Sequence, residues 1–324
     1  MNKKKIYFND NALQTRLFED LDDADEKADS EQAEADAKPR TAIRFMSFGS
    51  GSSGNCSYIG DGTTGFLIDA GVDSEYVIEK LRLNGVTMDK VAGIILTHDH
   101  SDHVRRVYTF LRRNRHLLVY STPKTLNGIL RRHSISRRLT DYHKAIYKEF
   151  EFPLAGFKIT PFDVPHDGTD NVGFFIEHPC GLKICVATDI GNVNERAMHY
   201  LQQANAVVLE SNHDVAMLLA GPYPEHLKQR ILNPNGHLSN DDCAACLATI
   251  MSAKLSHIFL CHLSKDNNTP ELALQTSRRA LLTSGVPSVG DASESLEALK
   301  CPVQLYALPR TEASPLFFLH PQKQ

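Results

Sequence analysis

The stretch Thr97-His98-Asp99-His100-Ser101-Asp102-His103 decides how this chain is interpreted. It follows residues 91–96, a short apolar run bounded by polar residues, and such a run predicts a buried β-strand. Alternate residues of an extended chain point the same way, so His98 and His100 can reach one cation together. Crowded imidazoles and carboxylates become favourable when they bind a cation, and this stretch therefore predicts a metal site.

The second half of the stretch belongs to the next predicted element. Asp102 and His103 open residues 104–113, which we predict to be a helix, so their side chains leave the direction taken by the first two histidines. They can serve a second cation about 3.5–4 Å from the first, the separation found in two-metal hydrolases.

Polar residues also follow several later strands that the apolar pattern predicts. One such residue has little meaning alone, but an active site gathered at one edge of a sheet produces this repetition. The residues are His166 after 159–164, Asp189 after 183–187, Glu210 and His213 after 206–209, His237 shortly before a predicted helix at 241–251, and His262 after 258–261.

The composition is that of a globular protein, with 324 residues of which 42% are hydrophobic. No run of about 18 apolar residues occurs, so no membrane span is predicted. The basic start Met1-Asn2-Lys3-Lys4-Lys5 is followed at once by polar residues and lacks the apolar core of a signal peptide. Seven cysteines, an odd number without framework spacing, fit a reducing compartment. We therefore expect a cytoplasmic protein.

Charge divides the chain into regions of different character. Residues 1–40 carry 7 Lys and Arg against 11 Asp and Glu, with few apolar residues, which predicts a disordered acidic tail. Residues 41–320 are predicted to form a single domain. Within it, residues 104–148 carry 12 Lys and Arg against one acidic residue, Asp141. Such an excess favours a polyanionic partner.

Two segments are candidates for contact with that partner. Gly49-Ser50-Gly51-Ser52-Ser53-Gly54-Asn55 is a turn of small residues between two predicted strands, and its backbone amides could hold a phosphate. The basic segment adds arginines close to the metal stretch. The predicted substrate-binding residues are Ser50, Ser52, Ser53, Asn55, Arg112 and Arg113.

Residues 97–103 resemble the H-x-H-x-D-H signature of metallo-β-lactamase-fold hydrolases. More narrowly, the chain resembles the YycJ/VicX (WalJ) branch of exonucleases and is similar to tRNase Z, over about residues 43–284. This resemblance implies an α/β fold, the αββα sandwich of two mixed sheets face to face with helices outside. The narrower resemblance rests on Ser50-Gly51-Ser52-Ser53-Gly54-Asn55, Glu210-Ser211-Asn212-His213-Asp214, Gly236-His237-Leu238-Ser239-Asn240 and His262-Leu263-Ser264-Lys265-Asp266-Asn267-Asn268.

The resemblance also implies roles for individual residues and two divalent metal ions. His98, His100 and His166 would bind the first ion, Asp102, His103 and His262 the second, and Asp189 would bridge them. Nitrogen and oxygen ligands without cysteine suit Zn²⁺ or Mn²⁺, and iron is also compatible. Catalytic roles are expected for Asp102, for His237 as the proton donor to the leaving group, and for Glu210, which would hold and tune His237. His213 would support the ligands from outside.

These features lead to a metal-dependent phosphodiesterase, a DNA exonuclease whose attacking hydroxide is activated by the dinuclear centre. The alternative is a hydrolase of small esters or thioesters on the same fold, such as a lactonase or a glyoxalase II-like enzyme. A third possibility is a regulatory binding protein with structural metals, although such sites are usually closed and single. The basic segment favours nucleic acid, DNA more than RNA. Metal identity, cleavage polarity and oligomeric state stay open.

Overall fold

The structure is a computed structural model that describes residues 42–291 and 300–321. The predicted acidic tail at residues 1–40 lies outside the described residues. Within the described part, no helix is both long and apolar enough to cross a membrane.

The first sheet has seven strands and combines antiparallel with parallel pairing. Its spatial order is β15-β1-β2-β3-β4-β5-β6, and the strands from β3 to β6 run parallel to one another. β1 pairs antiparallel with both β2 and β15. The strands are β1 (Ile43–Gly49), β2 (Cys56–Gly60), β3 (Gly65–Ile68), β4 (Val91–Ile95), β5 (Leu118–Ser121), β6 (His143–Ala145) and β15 (Phe317–Leu319).

The second sheet has eight strands in the order β13-β14-β12-β11-β10-β9-β8-β7. From β13 to β10 the neighbours are parallel, and from β10 to β7 they are antiparallel. The strands are β7 (Phe152–Leu154), β8 (Phe157–Asp163), β9 (Val172–Glu177), β10 (Lys183–Ala187), β11 (Ala206–Glu210), β12 (His257–Cys261), β13 (Val289–Gly290) and β14 (Val303–Ala307).

The helices begin with the residues that their ends require. Asp73, Thr122, Asn194, Asp214, Ser239 and Thr269 each accept a backbone N–H in the first turn of a helix, and Pro follows two of these caps. The helices are α1 (Ser74–Leu83), α2 (Ser101–Val104), α3 (Val107–Arg113), α4 (Pro123–Arg132), α5 (Glu195–Leu201), α6 (Val215–Ala220), α7 (Glu225–Leu232), α8 (Asn240–Ile250) and α9 (Pro270–Thr283), with 3₁₀ segments at Met88–Lys90 and Arg137–Tyr142.

The two sheets pack face to face around an apolar layer. Phe45 of the first sheet lies with its ring centroid 4.5 Å from that of Phe259 in the second, and Phe66 meets Phe157 edge to face at 5.5 Å. Two further apolar clusters cover the outer faces, one beneath α1, α3 and α4, the other beneath α5, α8 and α9. The predicted αββα sandwich is confirmed.

The structure differs from the sequence prediction in several elements. The helix expected at 104–113 starts earlier, at Ser101, and is interrupted between α2 and α3, where the Arg106 amide donates to Ala70 O (2.9 Å). The sequence prediction contained no helix at α5 and no strands at β6, β13, β14 and β15. β6 and β15 are only three residues long and become strands by pairing with β5 and β1.

Candidate metal centre

Strand ends from both sheets meet and bring the predicted ligands together. His98 and His100 follow β4 in the first sheet. His166, Asp189 and His262 follow β8, β10 and β12 in the second sheet. β10 and β12 flank β11 in parallel, so their carboxyl ends lie at one edge. The site is therefore assembled where the ends of the two sheets face each other.

One group of donors consists of His98, His100 and His166, whose ligand atoms lie within 4.8 Å of one another. His166 Nδ1 donates to the carbonyl of Gly236 (2.9 Å), which leaves the lone pair of His166 on Nε2. That Nε2 lies 3.2 Å from His100 Nδ1. His98 Nδ1 contacts Thr97 Oγ1 at 2.9 Å, so its Nε2 is the atom directed at the group. The three imidazoles are therefore close enough to share one ion.

A second group consists of Asp102, His103 and His262. Asp102 Oδ2 lies 3.5 Å from His103 Nε2 and 3.6 Å from His262 Nε2. Asp189 lies between the groups, with Oδ1 3.3 Å from His103 Nε2 and Oδ2 3.7 Å from His166 Nε2. This carboxylate thus contacts one imidazole of each group.

The donors fit divalent metal ions. Among the described residues, His98 Nε2, His262 Nε2 and Asp189 Oδ1 are buried without a hydrogen-bond partner. A buried polar atom without a partner costs about 1–3 kcal/mol, and cations in the two donor groups would satisfy these atoms. The donors are imidazole nitrogens and carboxylate oxygens, which suit borderline divalent ions.

The charge states within the site point the same way. Burial raises the pKa of Asp189, but His262 and His103 outweigh it and hold the pKa well below its ordinary value. Burial and the neighbouring His103 lower the pKa of His98 well below 6.5, so this ligand atom is available. Burial also lowers the pKa of His262, yet Asp189, Asp102 and Glu210 raise it to about 10. A cation that binds here would displace that proton.

Two residues outside the ligand set orient His103. Asp69, which follows β3 with φ of 61°, accepts from His103 Nδ1 at 2.7 Å and from Thr97 N and Oγ1. Asn55 Nδ2 lies 2.9 Å from His103 Nε2 and 3.1 Å from Asp102 Oδ2. Our sequence analysis missed Asp69, although an acidic residue directly after an apolar strand is the signal it used elsewhere.

Asp99, the unassigned acid in the metal stretch, connects the site to the basic segment. It is fully buried and accepts hydrogen bonds from the backbone and hydroxyl of Thr169, in the loop after His166. Arg132 of α4 lies 3.5 Å from the same carboxylate, and His133 contacts its backbone carbonyl at 2.6 Å. Asp99 thus contacts both the end of α4 and the loop that carries His166.

Glu210 and His237 meet beside the two donor groups. Glu210 is fully buried, and its Oε1 accepts from His237 Nδ1 at 2.7 Å and lies 2.9 Å from His262 Nδ1. The ring of His237 lies 5.0 Å from that of His166 and 5.2 Å from that of His262. Its side chain is 18% exposed, whereas Glu210 has no exposure, so the imidazole is the member of the pair that solvent and substrate can reach.

His213 lies deeper in the molecule. It is buried, its backbone forms a bridge to Ser239 at the start of α8, and its carbonyl accepts from Asn240 N at 2.8 Å. Neither ring nitrogen has a hydrogen-bond partner among the described residues, and burial lowers its pKa. His213 thus lies behind the Glu210–His237 pair rather than among the donor groups.

The small-residue turn at 49–55 is placed against the site, but its side chains differ in orientation. Ser50 Oγ accepts from the backbone of His262 (2.9 Å), and Asn55 Oδ1 accepts from Gly51 N (2.8 Å). These two predicted substrate contacts face inward and hold the site together. Ser52 and Ser53 are exposed and remain available to a ligand.

The basic segment is partly neutralised by local partners. Arg113 pairs with Glu75 of α1, and Arg105 donates to the carbonyls of Gly71 and Ser53. Arg112 is exposed at the end of α3. Other exposed basic residues of this segment are Arg115, Lys124, Arg131, Arg137, Arg138 and Lys144.

Comparison with known proteins agrees with this geometry. Residues 64–262 match the family model described as a beta-lactamase superfamily domain. Exodeoxyribonuclease YycJ of Bacillus anthracis is 36% identical over 253 residues, which cover 78% of this chain and 94% of that protein. The family model spans the donor residues from His98 to His262.

Solved structures show the same fold. The metallo-beta-lactamase fold protein YhfI of Bacillus subtilis superposes with a TM-score of 0.59 at 12% identity, covering 84% of this chain and 99% of that one. The short form of human tRNase Z gives a TM-score of 0.51 at 15% identity, covering 68% and 93%.

Proposed function

The chain belongs to the beta-lactamase superfamily, with the metallo-β-lactamase fold, and on that premise we propose that it is a metal-dependent phosphodiesterase that degrades DNA from an end. The observation that carries the proposal is the cluster of seven donors from His98 to His262, of which all but the half-buried His100 and Asp102 are buried, with the Glu210–His237 pair beside it. The YycJ relative, named an exodeoxyribonuclease, is matched over nearly its whole length and supports DNA as the substrate.

We propose the following division of the ligands. His98, His100 and His166 would hold one ion, Asp102, His103 and His262 would hold the second, and Asp189 would contribute to both sites. Zn²⁺ and Mn²⁺ suit this donor set, and iron is compatible with it. Two such ions supply acidification of water and neutralisation of the charge that develops on phosphate oxygens. The residues of this chain then have to bind the DNA strand, orient it and deliver a proton to the leaving oxygen.

His237 is the proposed proton donor to the leaving oxygen. Burial lowers its pKa, but the charge of Glu210 and the hydrogen bond to it outweigh burial, so the pKa lies above 6.5. The raised pKa keeps this imidazole protonated to higher pH than an ordinary histidine, which suits a general acid. Glu210 binds Nδ1, which directs the Nε2 proton away from the carboxylate. Glu210 in turn is fixed by the Ile190 amide, 2.8 Å from its Oε2.

Contacts to the DNA strand would come from residues outside the donor cluster. Ser52 and Ser53 are exposed on the turn beside His262, and Arg112 is exposed on α3. We propose that these residues contact the phosphate backbone, whose interaction with arginine and lysine supplies most of non-specific affinity. We also place the protein in a reducing compartment such as the cytoplasm, because all seven cysteines are free.

The test is incubation of protein loaded with Zn²⁺ or Mn²⁺ with end-labelled single-stranded and duplex DNA and with RNA of the same sequence. Release of mononucleotides from one end, and no cleavage of circular DNA, is the expected result. Asp189→Asn should abolish cleavage, while Asp61→Asn should not, because Asp61 lies in the turn between β2 and β3, at the opposite end of β3 from Asp69. Hydrolysis of a lactone or thioester with no cleavage of nucleic acid would replace the proposal with the small-molecule alternative.

A further inference from the structure

An arginine outside the basic segment lies at the metal site. Arg230 is in α7, and its Nε donates to Asp167 Oδ2 at 2.6 Å. The other oxygen of Asp167 lies 3.3 Å from His100 Nε2 and 3.5 Å from His166 Nε2. One carboxylate thus separates the guanidinium from two of the three imidazoles in the first donor group.

The backbone fixes this position. His237 N donates to the carbonyl of Ile231 (3.0 Å), and His166 Nδ1 donates to the carbonyl of Gly236 (2.9 Å). A Cβ at Gly236 would lie 2.3 Å from Arg230 O and 2.2 Å from Ile231 O, so only glycine permits this approach of α7. The end of α7, the loop of His237 and the imidazole of His166 are therefore held in one arrangement.

The pair has the charge and exposure of a binding group. An unpaired Asp167 carboxylate beside His100 would repel an incoming phosphate, and Arg230 compensates that charge. The Arg230 side chain is 55% exposed. Arginine has five N–H donors, and the bond from Nε to Asp167 uses one of them. The guanidinium geometry matches two phosphate oxygens at once, which makes arginine a better phosphate ligand than lysine.

We propose that Arg230 binds a non-bridging oxygen of the phosphate next to the bond that is cut, and that Asp167 is the positioning residue that holds the guanidinium beside His100. This assignment rests on the proposed phosphodiesterase function. Arg113, which the sequence predicted to bind substrate, is instead paired with Glu75 on α1.

Inorganic phosphate is the first probe, measured by calorimetry on metal-loaded protein. Arg230→Ala should weaken phosphate binding about 10-fold or more, and Arg230→Lys should recover part of the loss. Asp167→Asn should weaken it less, and Asp167→Glu should restore it. Lys228→Ala is the matched control, because it removes one positive charge from the same helix, where Lys228 Nζ donates to Leu219 O. Every variant is saturated with metal before the measurement, because Asp167 also contacts His100 Nε2 and its replacement is expected to lower metal affinity.

The second probe is a nuclease-resistant phosphorothioate single strand, bound at several salt concentrations. Loss of one phosphate contact reduces the slope of log affinity against log salt by about 0.7. Arg230→Ala should show this reduction and Lys228→Ala should not. Equal phosphate affinity and equal slope in Arg230→Ala and Lys228→Ala would overturn the assignment. At equal metal occupancy, an unchanged phosphate affinity in Asp167→Asn would overturn the positioning role.

The two probes separate this inference from the proposed function. If the wild type binds phosphate through Arg230 yet cleaves no nucleic acid, the inference stands and the nuclease proposal fails. If the wild type degrades DNA and Arg230→Ala binds phosphate and the DNA strand as the wild type does, the nuclease proposal stands and the inference fails.

Discussion

Asp69 Oδ2 lies 2.7 Å from His103 Nδ1, and both side chains are buried. The carboxylate accepts from Nδ1, so Nε2 is the nitrogen of His103 that can give its lone pair to a metal. Nε2 is the atom that faces Asp102 and Asp189. A residue 34 positions before His103 therefore determines which nitrogen is offered to a metal.

Removing that carboxylate should weaken the metal site without unfolding the protein. Outer partners of ligating histidines typically account for 10–100-fold in metal affinity. We expect a loss of this size for Asp69→Asn in competition with a chelator indicator. Asp61→Asn is the control, because Asp61 is also a hydrogen-bonded acid next to β3 but lies at the far end of that strand. Equal affinity in both variants would contradict the role given to Asp69.

Asp189 should affect both metal ions together. Elemental analysis of protein prepared without chelator should give about two equivalents per chain. Because Asp189 contacts His103 and His166, one from each donor group, Asp189→Ala should lower both affinities rather than remove a single ion. A single equivalent in the wild type, unchanged by excess Zn²⁺ or Mn²⁺, would contradict a dinuclear centre.

His237 and Glu210 should affect the cleavage rate more than metal binding. His237→Ala should keep the metals and the affinity for DNA while cleaving about 10²–10⁴-fold more slowly, the usual size of a general-acid contribution. Glu210→Gln should lose less. A nitrophenyl phosphodiester needs less protonation of its leaving group and should partly rescue both variants. Loss of a metal in His237→Ala would make His237 a ligand and would question the assignment of His262.

The pH profile gives a separate test of the same pair. Burial lowers the pKa of His237, but Glu210 raises it further than burial lowers it. A general acid works in its protonated form, so activity should fall as pH rises through a value above 6.5. Glu210→Gln removes the stabilising charge, and the falling limb should move to lower pH. A limb at the same pH in both proteins would show that another group donates the proton.

The basic segment should contribute to DNA affinity through charge. Changing Arg112, Arg113 and Arg115 to Ser should weaken binding of duplex DNA and reduce the salt slope by up to about 0.9 per lost contact, with no loss of metal. We expect Arg113 to contribute less than the other two arginines, because it pairs with Glu75. The control removes three charges at the opposite end of the second sheet, by changing Lys158, Lys183 and Lys254 to Ser. Equal salt slopes in the two triple variants would show that these arginines make no contact with DNA and only solvate the surface of the helix.

The family resemblance implied the sandwich, and local patterns in the sequence predicted the gathering of site residues. Apolar runs of strand length alternate with polar residues at their ends, and parallel strands bring such ends to one edge. His166, Asp189 and His262 were found in this way. The structure brings all seven predicted ligands into overlapping groups, and it adds the contacts of Glu210 with both His237 and His262.

What could not be predicted depends on contacts between distant positions. The residues of the pairs Asp69–His103 and Asp167–Arg230 are 34 and 63 positions apart. The sequence around each residue does not indicate which distant residue it contacts. Asn55 was expected on the substrate side because it belongs to a small-residue turn, yet its side chain is taken by Asp102 and His103. Short strands such as β15 carry no periodic signal of their own.

The pairing of β15 with β1 has a consequence for biosynthesis. These strands are the first and last of the described domain, and they are neighbours in the first sheet. The donors extend from His98 to His262, and Ser50, which holds the His262 amide, is itself anchored by the carbonyl of Arg310. Synthesis therefore has to pass Arg310 before all of these contacts can form, and we expect the full donor set to bind metal only after that point.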